Sequence, residues 1–152
     1  MDFAIFPEPT GTQAQEKGGG VVIGWADDAV PYQIAVIFYG SKIAENKDVG
    51  VRFMKAYIRG TRYYHDHMLQ AKEDSPEFKK GAEHIAKYTK QVLTSRRGLI
   101  YMDRDAKLMA EDFPRQVAWY AANGFVPAAT KDALPAMLNT SFQEAAVKQL
   151  GP

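Results

Sequence analysis

Cysteine is missing altogether from a chain of 152 residues. Disulfides, thiolate nucleophiles, cysteine-held zinc and iron–sulfur clusters are excluded with it, although the compartment is not fixed by that absence. A charge excess is lacking too. Basic residues number 19 and acidic residues 18, a net charge of +1, so no global field draws the chain onto nucleic acid or an anionic membrane. The apolar runs are far shorter than a bilayer crossing. No basic stretch followed by an apolar core and a small-residue cleavage site stands at the start, so an export signal is not expected in this chain. Repeats, heptads and low-complexity tracts are also absent. The composition that remains is globular, with 46% hydrophobic and 24% charged residues, and the size suits one domain with a real core.

Three apolar runs near the start read as strands. Asp2-Phe3-Ala4-Ile5-Phe6 ends at Pro7-Glu8-Pro9-Thr10-Gly11, where prolines deny a ladder its amide donors. After a polar, helix-like stretch at 12–17 and the triplet Gly18-Gly19-Gly20, the run Val21-Val22-Ile23-Gly24-Trp25 is β-branched. A turn over 26–31 leads to Tyr32-Gln33-Ile34-Ala35-Val36-Ile37-Phe38-Tyr39, apolar at nearly every position like a strand covered on both faces. Two or three short strands do not make a stable open sheet alone. The chain therefore reads as an incomplete sheet whose partners are missing or borrowed.

Helical periodicity takes over from residue 48. Phe53, Met54, Tyr57, Ile58, Thr61, Tyr64 and Met68 form one stripe to about residue 69. Gly60 interrupts it at a cost of about 1 kcal/mol against alanine, which suggests close packing there. Ser75-Pro76-Glu77 opens the next helix, with Phe78, Ala82, Ile85, Ala86 and Leu93 on one side and Arg96-Arg97-Gly98 as its break. A short extended piece is expected at 99–102. Asp112 caps a helix that Asn123-Gly124 ends. Thr130 caps a short helix to Leu138, and Thr140 or Ser141 starts the last one, with Phe142, Ala145, Ala146 and Leu150.

His65-Asp66-His67 is the sharpest cluster of chemical groups. Residues two apart on a regular helix point roughly 200° from each other, so both imidazoles do not face one metal. A solvated helix end is the expected setting, and His84 lies on the next helix. Gly18-Gly19-Gly20 lacks the spacing of a phosphate loop. Arg96-Arg97 suits an anion or plain solvation, and Tyr63-Tyr64, Trp119-Tyr120 and Phe125 read as core. Pro7-Glu8-Pro9-Thr10 differs. It joins the C-terminal end of an expected strand to a helix start, where α/β proteins bind ligands. The helix amides there suit an anion or polar head group, whereas Glu8 suits a cationic or amino-bearing ligand.

These segments, in this order, resemble one group of periplasmic substrate-binding proteins of ABC importers, the nitrate/sulfonate/taurine and thiamine-pyrimidine-precursor group. Asp2-Phe3-Ala4-Ile5 running into Glu8-Pro9 resembles its strand and "EP" turn. The run 32–39, the polar Ser41-Lys42-Ile43-Ala44-Glu45-Asn46 and the helix Val51-Arg52-Phe53-Met54-Lys55-Ala56-Tyr57-Ile58-Arg59-Gly60 follow the same order. So do Phe113 through Gln116 to Trp119-Tyr120, Asn123-Gly124-Phe125-Val126, and Asn139-Thr140-Ser141-Phe142-Gln143-Glu144-Ala145-Ala146.

The resemblance implies the C-terminal part of a type 2 periplasmic-binding-protein-like α/β fold. It would form a single incomplete domain over 1–152, with strands and a crossing segment over 1–46 and a mostly helical part over 47–152. The implied function is a non-catalytic, cofactor-free component that binds a small polar solute in an interlobe cleft and delivers it to an ABC permease outside the cytoplasm. Glu8, Pro9 and Thr10 would stand at the cleft edge, with no catalytic residue and no metal ligand. The full-length receptor would be periplasmic, and this chain a truncation, a fragment or a processed form. Two alternatives share the fold: a pyrimidine-precursor synthase using His65, His67 or His84, and a desulfinase. Both rely on cysteine in their known forms. A stand-alone interaction domain that self-associates through an unfinished sheet is the third reading.

Overall fold

The computed structural model describes residues 2–30, 32–93 and 96–152. Its elements are α1 (Thr10–Glu16), α2 (Ala26–Ala29), α3 (Ser41–Ala44), α4 (Lys47–Tyr64), α5 (Pro76–Thr89), α6 (Asp112–Ala122), α7 (Thr130–Met137) and α8 (Ser141–Leu150). A π-helical turn, His65–Leu69, continues α4, and a single 3-10 turn covers Arg96–Gly98.

No strand or bridge occurs among the described residues. The α/β expectation, with short strands near the N-terminus, is thereby overturned. The runs at 2–6, 21–25 and 32–39 have the side chains of strands but no neighbouring backbone to pair with. Their side chains stay in solvent: Phe3, Ile5, Val21, Ile23, Ile34 and Phe38 are all at least 75% exposed. The piece at 99–102 is likewise unpaired. Residues 26–29 of the expected turn form α2 instead, and Pro31 lies outside the described residues.

Helix ends follow local chemistry. Ser75 caps α5 by accepting the Phe78 amide at 3.1 Å, with Pro76 at the first helical position. The helix stops at Lys90, whose φ of 62° is left-handed, and so ends before Leu93. Asn123 closes α6 and Gly124 follows at φ 74°. Asn139 Oδ1 accepts the Ser141 amide at the start of α8, while Thr140 bonds Glu144 Oε1 at 2.7 Å. Asp112 is not a cap. It is the first residue of α6 and is buried, with only 3% of its surface exposed.

The chain divides into two compact units: Met1–Asp28 with Arg59–Arg104, and Ala29–Ile58 with Asp105–Pro152. In the first, Met68 of the π turn is fully buried against α5, where Gly81 faces it, and Phe78 of the same helix is also buried. Thr61 is buried as well and donates to the Arg104 carbonyl at 2.9 Å. The second has a core of Val51 and Ile58 from α4 with Phe142 and Ala146 from α8, flanked by Tyr39, Met54 and Leu150. The expected stripe of α4 is largely seen: Ile58, Thr61 and Met68 are buried, Met54, Tyr57 and Tyr64 half-buried, and Phe53 exposed. Gly60 meets nothing, because a Cβ there would have no atom within 4 Å. The crowded glycine of α4 is Gly50, packed against Phe142.

Candidate functional site

The turn ahead of α1 is built by its own backbone. The Thr10 amide donates to the Pro7 carbonyl and the Gln13 amide to that of Pro9, both at 3.0 Å. The Glu8–Pro9 peptide is cis. Glu8 turns its carboxylate inward between two glycines. A Cβ on Gly11 would lie 2.9 Å from Glu8 Oε1. A Cβ on Gly98, in the 3-10 turn, would lie 3.9 Å from Oε2 and 3.5 Å from Pro9 Cβ. Gly98 is buried, and the 3-10 turn it closes packs beside Pro9 and the carboxylate.

Both Glu8 oxygens are shut off from solvent, and neither has a hydrogen-bond partner among the described residues. A buried polar group without a partner costs at least a few kcal/mol, and an ionised one more. A carboxylate offers up to four lone-pair sites and no donor when ionised. Among the described residues the geometry therefore presents an acceptor that lacks a donor. A carboxylate at the head of α1 suits a cation or an N–H group better than an anion. Pro9 packs against the 3-10 turn, and Thr10 is exposed. A recess of about 350 Å³ lined by Thr12, Gln15, Val22, Ile23, Gly24 and Trp25 shares α1 but does not take in Glu8.

His65 and His67 have separate partners, and His84 shares that of His67. His65 Nδ1 lies 3.2 Å from Asp66 Oδ1, and Asp66 is in turn held by Arg104 at 3.1 and 3.3 Å. The Arg104 bonds, foremost among several causes, lower the Asp66 pKa. His67 instead packs on the Tyr63 ring at 4.5 Å, with His84 edge-on to that ring at 6.2 Å. Among the described residues no group of three His, Asp or Glu side chains converges as a metal site. Arg96 binds backbone, not an anion: it donates to the Leu69 carbonyl and, at 3.1 Å, to that of Ala71, after the π turn. The Arg97 side chain lies outside the described residues. Trp119, Tyr120 and Phe125 were expected in the core. They form one exposed cluster instead, with Trp119 and Phe125 stacked at 5.9 Å.

Sequence reasoning missed a second polar centre. Asp112 Oδ2 accepts the Gln33 amide and Gln116 Nε2, each at 2.6 Å, and Oδ1 pairs with Arg115. Gln33 also accepts the Met109 amide at 3.0 Å on Oε1 and Gln116 Nε2 at 2.9 Å on its carbonyl. Burial pushes the Asp112 carboxyl up. The bonds from Gln116, the Gln33 amide and Arg115 outweigh that and hold its pKa below the usual value. The spacing Asp112, Arg115, Gln116 is a helical i, i+3, i+4 set and was visible; its partner Gln33 lies 79 residues away from Asp112.

Comparison with protein-family models, with curated proteins and with solved structures finds no match.

Proposed function

We propose that this chain acts as a solute-binding component of an ABC importer, taking a small polar solute whose cationic or N–H group is received by Glu8. The observation that carries the reading is the buried Glu8 carboxylate with no donor among the described residues. It stands in the turn where the resemblance puts ligand contact, with Pro9 packed beside it and Thr10 at the rim. Recognition is then a charge-assisted hydrogen bond formed in a site shielded from water, the setting in which such bonds are strongest. The chemistry needed is acceptance and not turnover, since no nucleophile and base stand together beside Glu8 among the described residues.

The test is a thermal-shift and calorimetric screen of primary amines, guanidines and aminopyrimidines against the chain and its Glu8→Gln variant. A binding solute is expected to raise the melting temperature of the parent. The variant should weaken its affinity about tenfold or more, as loss of a hydrogen bond to a charged group does. Chromatography of the mixture should return the solute unchanged. Binding untouched by Glu8→Gln, the absence of any binder, or appearance of a product would overturn the proposal.

A further inference from the structure

The run 32–39 is fastened at both ends and open between them. Gln33 is held by Asp112, Gln116 and Met109, as described above. At the other end the Tyr39 hydroxyl donates to the Gly50 carbonyl at 2.9 Å, and its ring meets Phe53 and Phe142 edge-on at 5.8 and 5.0 Å. Between those anchors, the only described hydrogen bond to the backbone of residues 34–38 is from Gln33 Nε2 to the Ala35 carbonyl. Ile34 and Phe38 are 75% and 86% exposed, with Val36 and Ile37 nearly half exposed. Tethered unpaired amides flanked by β-branched and aromatic side chains are a template for another backbone.

Area argues that something covers such surface. A compact 17.0 kDa monomer exposes about 7,700 Å². Two independent bodies of half that mass would expose about 9,300 Å². The chain exposes 11243 Å², roughly 1,900 Å² beyond even the larger figure. A stable dimer needs only about 800 Å² from each partner. Charge leaves a second copy free to be the occupant. No charged residue occurs anywhere from 29 to 40, and the net charge is +1. A twofold pairing sets a segment against its own copy, where any charge would oppose itself; here there is none to do so.

We infer that residues 32–39 form the edge through which two copies of this chain pair, backbone to backbone. This inference is independent of the solute reading and is tested without solute. Sedimentation across a hundredfold range of concentration should show a monomer–dimer equilibrium. Hydrogen exchange should show alternate amides of 34–38, those on the pairing edge, protected in the dimer and fast on dilution. Two variants probe the contact without removing packing from the single chain. Ile34→Lys with Phe38→Lys places like charges at exposed positions, and Val36→Pro with Ile37→Pro deletes two successive amides, one from each edge, neither of which has a partner among the described residues. Each should raise the dissociation constant about tenfold or more, with the helical circular dichroism of the monomer unchanged. A monomer at every concentration overturns the inference. So does a dimer that ignores either variant, or one whose 34–38 amides all exchange freely.

Discussion

Gly50 and Gly60 lie in the same helix, yet alanine at the two positions should move stability in opposite directions. At Gly50 the added Cβ would sit 2.5 and 2.6 Å from Phe142 Cε1 and Cδ1 and 3.3 Å from Tyr39 Cε2. Phe142 is only 7% exposed and is wedged in the core with Val51, Ile58 and Ala146. An aromatic ring so enclosed moves only by displacing its neighbours, and at an approach of 2.5 Å the cost lies in the upper part of the overpacking range, about 2–3 kcal/mol. Helix propensity returns at most about 1 kcal/mol. The net expectation for Gly50→Ala is a loss of about 1–2 kcal/mol. At Gly60 a Cβ meets no atom within 4 Å, so propensity acts alone and Gly60→Ala should gain about 0.5–1 kcal/mol. Urea unfolding followed by circular dichroism measures both. With a slope of about 2 kcal/mol per molar, the midpoint for Gly50→Ala should fall by roughly 0.5–1 M and that for Gly60→Ala should rise. A Gly50→Ala protein as stable as the parent would refute the packing described for Phe142.

Two further expectations concern pH. Asp112 has a folded pKa below its unfolded value near 3.9, so its contribution is present above that value and disappears as pH falls through the folded one. Urea midpoints at neutral and acid pH should drop more on acidification for the parent than for Asp112→Asn, and an equal drop would contradict the network around Gln33. Tyr64 is pushed up to about 12 by burial, and its hydroxyl donates to the Ile100 carbonyl at 2.7 Å, a bond that ionisation would break. Stability from that group is full below about pH 10 and is lost as pH rises towards the folded value. Tyr39 and Tyr57 are also raised by burial, so an ultraviolet phenolate titration should find several late tyrosines, the last near pH 12, and Tyr64→Phe should remove that last step.

Where an element is fixed by neighbours in sequence, the sequence was readable. Ser75-Pro76, Asn123-Gly124 and Asn139-Thr140-Ser141 each set a helix boundary with groups a few residues apart, and each boundary is found there. The apolar stripe of α4 was readable for the same reason. The runs at 2–6, 21–25 and 32–39 were not, because β-branched composition states a preference while a strand requires a second backbone. Gly60 was singled out and Gly50 and Gly81 were not. Only the contacts of Phe142 with Gly50 and of Met68 with Gly81 distinguish a needed glycine from an incidental one. Glu8 was legible as an acid in a turn. Its seclusion was not, since Gly98 arrives from ninety positions further along. Asp112 looked like a cap because caps and first-turn acids share a residue type, and its true partner is distant.

The bare position in α4 has a wider role than avoiding a clash. Gly50 leaves a notch where the rim of the Phe142 ring settles, and its carbonyl is the anchor for the Tyr39 hydroxyl. A helix, the C-terminal helix and an irregular strand-like run thus meet at a spot occupied by no side chain. Filling that notch would work on the run remotely, loosening its tether while leaving every outward-facing atom of 34–38 as it was. The control point for the exposed stretch therefore lies outside it, in the absence of a methyl group.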